Sequence, residues 1–220
     1  MVASASGGAT SGYVRIYHYV SPSWSQKGSA WNGYQCSTIS SDGTTVVMGS
    51  TGTPYGSSST NAGFVKILRY DSSSWNQLGL NLTGTSAQDL FGYALASSAD
   101  GNTVFIGAPS DGSKAGYVRA FTYENSAWTQ MGSDIVNSNA QLAFGTFVSA
   151  SADGNVVVIG QQGGSTHVRV YRYVNNAWIP KGSDIAVGNG KSVAMSPNGT
   201  VVLVGDSSRS PGEAYLLRYM

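Results

Sequence analysis

The chain has 220 residues, of which only 10% are charged, and 12 Lys and Arg against 11 Asp and Glu leave a net charge of +1. An ordinary soluble domain has about 25% charged residues, and this near-neutral balance provides no basic footprint for nucleic acid or an anionic membrane surface. No apolar run reaches the roughly 18 residues needed for membrane insertion, and a single cysteine, Cys36, excludes an intrachain disulfide.

The N-terminal stretch MVASASGGATSGYVRIY has neither the cationic segment nor the apolar centre of a secretory signal. It matches instead the strand and loop NTVFIGAPSDGSKAGYVRAF further along, with small residues leading through a Gly into a strand. From Gly12 the chain reads GYVRIYHYVSPSWSQKG, two strands joined by a turn. Copies follow at 63–79 (GFVKILRYDSSSWNQLG), at 115–135 (AGYVRAFTYENSAWTQMGSDI) and at 166–185 (THVRVYRYVNNAWIPKGSDI), and GEAYLLRYM at the C-terminus is a fifth that stops before its Trp. Trp24, Trp75, Trp128 and Trp178 mark a period of about fifty residues.

Within each period a Gly-containing segment opens a short alternating strand: GYQCSTIS from Gly33, FGYALASS from Phe91, FGTFVSAS from Phe144 and NGKSVAMS from Asn189. A turn follows, SDG, ADG, ADG or PNG, whose Asp-Gly and Asn-Gly pairs supply the positive φ of a two-residue hairpin. Next come TVVMG, TVFIG, VVVIG and VVLVG, β-branched runs that read as strands covered on both faces. Each period thus holds four strands: A after the Gly, B after the turn, C of the VRVY type, and D with the Trp. Gly and Ser interrupt the chain too often for helices.

Four antiparallel strands repeated about every fifty residues define a β-propeller blade. The predicted fold is all-β, a single propeller over 1–220. A partial blade at 1–31, blades at 32–88, 89–141 and 142–187, and a partial blade at 188–220 compose it. The first blade lacks strand A and the last lacks strand D, so five blades with unpaired edges are expected, the alternative being a piece of a larger propeller or array, and unpaired edges are templates for another chain.

The run FGYALASSADGNTVFIGAP, Phe91 to Pro109, followed by GYVRAFTY, resembles the FG-GAP repeat of integrin-type propellers. The period spans essentially the whole chain, but the full motif is legible in one copy only; elsewhere the Gly-Ala-Pro has drifted to GST, GQQ and GDS. The resemblance implies ligand contacts from loops on one face of the disc. FG-GAP loops commonly bind calcium, which requires six to eight oxygen ligands. Here each corresponding loop keeps one candidate, Asp42, Asp100, Asp153 or Asn198, so no metal and no cofactor are expected.

Candidate contact residues lie in the variable loops: Tyr55 and Asn61 between the first B and C strands, Asp111 and Lys114 in the next such loop, and Asp89 in a D-to-A loop. Plain solvated loops remain the alternative. Burial of one Trp per blade, worth roughly 4 to 6 kcal/mol before entropy, is reason enough for the strand D tryptophans, although aromatic rings at equivalent blade positions also serve as sugar platforms. Trp31, which has no counterpart among them, is the expected exposed ring. Asn81-Leu82-Thr83 is an N-glycosylation sequon in a long loop, whereas that at Asn198 overlaps a tight turn.

Arg15, Lys66, Arg119 and Arg169 recur in strand C and read as packing between blades. His18 and His167 occupy slots filled by Arg, Thr, Tyr, Phe or Glu in other copies, which does not suit a general base, and no nucleophile elbow is present. No enzymatic activity is expected. The expected function is an extracellular or cell- or virion-surface recognition module binding protein or glycan, without nucleic-acid partners or membrane insertion. The alternative is a structural protein self-associating through its terminal blades.

Overall fold

A computed structural model describes residues 2–5, 12–52, 62–110, 115–136, 143–162, 167–186, 190–206, 210 and 212–219. Five antiparallel sheets follow one another along the chain. The first holds β1 (Val2–Ala5), β2 (Tyr13–Val20), β3 (Ser23–Gln26) and β4 (Trp31–Asn32). The second holds β5 (Cys36–Ile39), β6 (Thr45–Ser50), β7 (Phe64–Tyr70), β8 (Trp75–Gln77) and β9 (Leu82–Thr83). The third is β10 (Ala94–Ser97), β11 (Thr103–Ala108), β12 (Tyr117–Glu124) and β13 (Ala127–Gln130). The fourth contains β14 (Phe144–Ala150), β15 (Val156–Gln161), β16 (His167–Val174), β17 (Ala177–Pro180) and β18 (Ile185–Ala186). The fifth has β19 (Gly190–Met195), β20 (Val201–Asp206) and β21 (Glu213–Arg218).

The fold is an all-β propeller, and the five sheets among the described residues are its successive blades. Among the described residues, no strand precedes β1 at the inner end of the first blade, and none pairs with the outer edge of β21. The blades stack face to face, and four apolar clusters lie between successive pairs of blades. Between the third and fourth, Phe105 of β11 packs with Phe144, Val157 and Ile159. Between the second and third, Val47, Val65 and Ile67 meet Val104 and Ile106. A B strand alternates its side chains between the two neighbouring blades, so β6, β11 and β15 are buried at every residue.

Close blade contact explains the small residues opening strand A. A Cβ on Gly107 of β11 would lie 2.1 Å from the carbonyl oxygen of Gly145 in β14, so the two backbones meet where no side chain fits.

The A-to-B turn is longer than the two-residue hairpin expected. Ser98 to Asn102 separate β10 from β11, and the turn is organised by its acid: Asp100 Oδ1 accepts from the Ser98 hydroxyl at 2.6 Å and the Asn102 amide at 3.0 Å. The same pattern recurs at Asp42 and Asp153, where the carboxylates bond their own turns.

Strand D is broken in two. The amides of Lys27, Leu78, Met131 and Lys181 donate to carbonyls of Ile16, Ile67, Ala120 and Val170 in strand C. The chain then bulges through a Gly before pairing again as β4, β9, the bridge between Ile135 and Val118, or β18. Trp31, Leu82, Ile135 and Ile185 are the four equivalent residues of these second segments.

Candidate interaction surfaces at the terminal blades

Three strand D tryptophans link successive blades. The indole N–H of Trp75 donates to the Lys27 carbonyl at 3.1 Å, that of Trp128 to Leu78 at 2.7 Å, and that of Trp178 to Met131 at 2.8 Å. Each ring also packs on a strand C tyrosine of its own blade: Tyr70, Tyr123 and Tyr173 at 5.2, 5.1 and 4.9 Å between centroids. Breaking strand D at the bulge exposes the acceptor carbonyl, which is why one Trp per blade can tie a blade to its predecessor.

A second link runs along the turns. The amide of Ser41 donates to the Ala99 carbonyl, Ala99 to Ala152, and Ala152 to Pro197. Proline has no N–H, so this ladder ends in the fifth blade.

The recurring strand C cation acts mainly within its own blade. Arg119 grips Asp134 of the bulge through Nε to Oδ1 at 2.8 Å and Nη2 to Oδ2 at 2.9 Å, and stacks over Tyr117. Arg169 pairs with Asp184 in the same way through Nε. Burial by itself would raise the Asp134 carboxyl, but the bonds and charge of Arg119 and a bond from Gln130 hold it below the ordinary carboxylate value. In the first blade Ala30 occupies the Asp position. The Nε of Arg15 is there buried without a hydrogen-bond partner among the described residues, beside the Tyr13 ring at 4.6 Å.

Among the described residues, the outward faces of the two end blades carry exposed apolar side chains. Among the described residues, no strand of the fifth blade packs closely on a strand of the first. In β20 only alternate residues are buried, Val202 and Val204 against the fourth blade, while Leu203 is 45% exposed. Leu216, paired with Leu203 across the sheet, is 70% exposed. On the first blade Tyr19 is 57% and Trp24 is 55% exposed, the two rings 5.4 Å apart. An open cleft of about 580 Å³ borders the fifth blade, lined by Ser196, Asn198, Val201, Arg218 and Tyr219 among others.

Of the residues expected to contact ligand, Tyr55, Asn61, Asp111 and Lys114 lie outside the described residues. Asp89 is turned inward: 4% exposed, its Oδ2 accepts from the Tyr117 hydroxyl at 2.8 Å and the Ser86 amide at 2.9 Å. That carboxylate fastens the third blade to the loop before it. Trp31 is half-buried, edge-on to Trp75 at 6.2 Å, because it fills the inward apolar place of the second D segment. The exposed ring is Trp24 instead. Asn81 is exposed in its bulge, where its Oδ1 accepts from Gln77. His18 is exposed in β2 opposite Ser25. Among the described residues no three His, Cys, Asp or Glu side chains gather as a metal site, and no helix is long and apolar enough to cross a membrane.

No protein-family model matches the chain, and no curated protein matches it. Solved structures do. A candidate 6-phosphogluconolactonase from Bacteroides uniformis is 14% identical over 91% of this chain and 62% of its own, with a TM-score of 0.60. TolB from Acinetobacter baumannii is 14% identical over 94% of this chain and 46% of its own, with a TM-score of 0.56. A candidate 6-phosphogluconolactonase from Bacteroides fragilis is 13% identical over 99% of this chain and 65% of its own, with a TM-score of 0.61. All are β-propellers, and this chain spans less than two thirds of the length of each. At such identity the likeness establishes the fold. It also overturns the expectation that the chain is not an enzyme: the same fold carries candidate hydrolases, so the absence of a sequence motif does not exclude catalysis.

Proposed function

We propose that the chain is an assembly module, a β-propeller arc that associates with other polypeptides, its own copies included, through its terminal blades. The observation that carries this reading is the uncovered face of the fifth blade. Strands β6, β11 and β15 are buried on both sides by neighbouring blades, whereas β20 and β21 present Leu203 and Leu216 to solvent. An end repeat that stops a stack ordinarily carries a polar outer face. Neighbouring exposed leucines on a paired sheet surface support an interaction site there, and the exposed Tyr19 and Trp24 of the first blade are of the types that dominate protein interfaces.

Loop-borne recognition of protein or glycan has less support, because four of its five loop residues lie outside the described residues and Asp89 is engaged internally. The test is the solution mass by light scattering and sedimentation from low to high micromolar concentration. Association that Leu203→Glu with Leu216→Glu abolishes, at unchanged far-ultraviolet circular dichroism, supports the reading. A monomer at every concentration sinks it.

A further inference from the structure

The outer edge of β21 and the bulge of the fourth blade present three parts of an arrangement that the chain completes elsewhere. In blades two, three and four, an outer strand pairs with strand C, its Trp packs on the strand C tyrosine, and its indole bonds the bulge carbonyl of the preceding blade. By register, Tyr219 stands where Tyr123 stands, and Leu216 where Ala120 does. The carbonyls of Ile16, Ile67, Ala120 and Val170 all accept an amide from the outer strand.

At the fifth blade no strand pairs with that edge among the described residues. A Cβ on Gly79 would meet the Trp128 indole at 2.7 Å and one on Gly28 the Trp75 indole at 2.8 Å, whereas one on Gly182 meets only the Tyr219 ring, at 3.6 Å. The Tyr219 hydroxyl is buried without a hydrogen-bond partner among the described residues, and burial raises its pKa. Lys181 Nζ sits 5.3 Å from the Tyr219 ring centroid, against 3.6 Å for Lys27 and Tyr70, where a Trp completes the group.

We propose that the edge of β21, with Tyr219, Gly182 and the Lys181 carbonyl, binds an extended tryptophan-bearing segment of another polypeptide as an added strand. The backbone of that segment pairs with β21, its indole covers Gly182 and packs on Tyr219, and its indole N–H donates to the Lys181 carbonyl. Strand addition draws affinity from main-chain hydrogen bonds and specificity from side-chain pockets. The preferred sequence follows from the internal occupants: a Trp, then two residues, then an apolar residue or Lys before Gly, as in WNQLG and WTQMG. This inference rests on the reading that the fifth blade is open to other polypeptides, and names what the blade takes.

The probe is a blocked, fluorescently labelled peptide of residues 125–135, NSAWTQMGSDI, titrated into the whole chain by anisotropy, with amide hydrogen exchange followed by NMR. Expected are saturable binding, about tenfold weakening when the peptide carries Trp128→Ala, similar weakening in a chain carrying Tyr219→Ala, retention with Tyr219→Phe, and new protection at the Leu216 and Arg218 amides. No binding, binding indifferent to both Ala changes, or protection away from β21 overturns the site. Association of the chain that persists while the peptide fails to bind leaves the assembly reading standing and refutes the strand site. Binding of the peptide by a strictly monomeric chain upholds the strand site and refutes only the association of the chain with its own copies.

Discussion

The indole nitrogen of Trp128 lies 2.7 Å from the carbonyl oxygen of Leu78, a hydrogen bond that crosses from the third blade to the second. Its equivalents at Trp75 and Trp178 make the same crossing, and Trp24 is more than half exposed. Four tryptophans alike in sequence are therefore unlike in energy. Trp128→Phe keeps most of the ring and removes the donor, so it should destabilise the chain by about 1 kcal/mol. Trp24→Phe should change stability by less than about 0.5 kcal/mol. Urea unfolding of the two variants side by side checks this.

The bulge glycines should likewise divide by neighbour. Gly79 has φ +71° and a Cβ there would strike the Trp128 ring, whereas Gly182, at φ +79°, faces no indole. Both Ala variants bear the cost of positive φ, of order 1 kcal/mol. Gly79→Ala should lose about 1 to 3 kcal/mol more from displaced packing, read from the gap between their unfolding midpoints.

Phe105 joins two blades, packed among Phe144, Val157 and Ile159 with the Trp178 ring edge-on at 5.4 Å. Phe105→Ala should cost about 3 to 5 kcal/mol. Because the loss falls between the third and fourth blades, calorimetry should show a broadened or split transition if those blades then unfold separately.

Acid should weaken the fold through Asp134 and the turn acids Asp42, Asp100 and Asp153, all held below the ordinary carboxylate value. At each, burial opposes the lowering and hydrogen bonds to the charged form prevail. A carboxyl depressed in the folded state contributes stability above its unfolded pKa and loses it as pH falls through the folded value. Stability should decline from about pH 4 downward. Asp134→Asn should flatten part of that decline in urea unfolding measured from pH 6 to pH 2.

Burial pushes the Cys36 thiol up to about 11. At pH 8 roughly one molecule in a thousand then carries the reactive thiolate. A thiol-disulfide reagent should modify the native chain slowly and the urea-unfolded chain within its mixing time. Fast labelling of the native chain would contradict the burial.

The blade was legible in the residues because its signals are local. Asp-Gly turns, β-branched runs and the recurrence of Trp each act over a few neighbouring positions, and repetition multiplied a weak signal several times. The break in strand D was harder to read, since the paired residue returns only after a bulge of changing composition. The signal existed: aligned through the bulge glycine, GSA, GLN, GSD and GSD place Ala30, Asn81, Asp134 and Asp184 together. That alignment would have shown Arg119 and Arg169 to have acids in their own blades and Arg15 to lack one, and Trp31 to be an inward residue with three counterparts. In sequence Asp89 reads as a loop contact because an acid in a variable loop is ordinarily solvated; its partner Tyr117 lies 28 positions away and is adjacent only once the blades stack.

By itself the sequence determined the unit: a repeat of about fifty residues, the order of its strands and the places of its turns, since period and turn chemistry are short-range properties. Only the tertiary structure decided which copies of a repeated residue are satisfied. Trp24 and Trp128 differ because the described residues place a preceding blade against Trp128 and not against Trp24, and Leu203 differs from Val47 because no described residue covers it. Burial and partnership belong to the neighbouring blade, and identical local sequences cannot record which neighbour they receive.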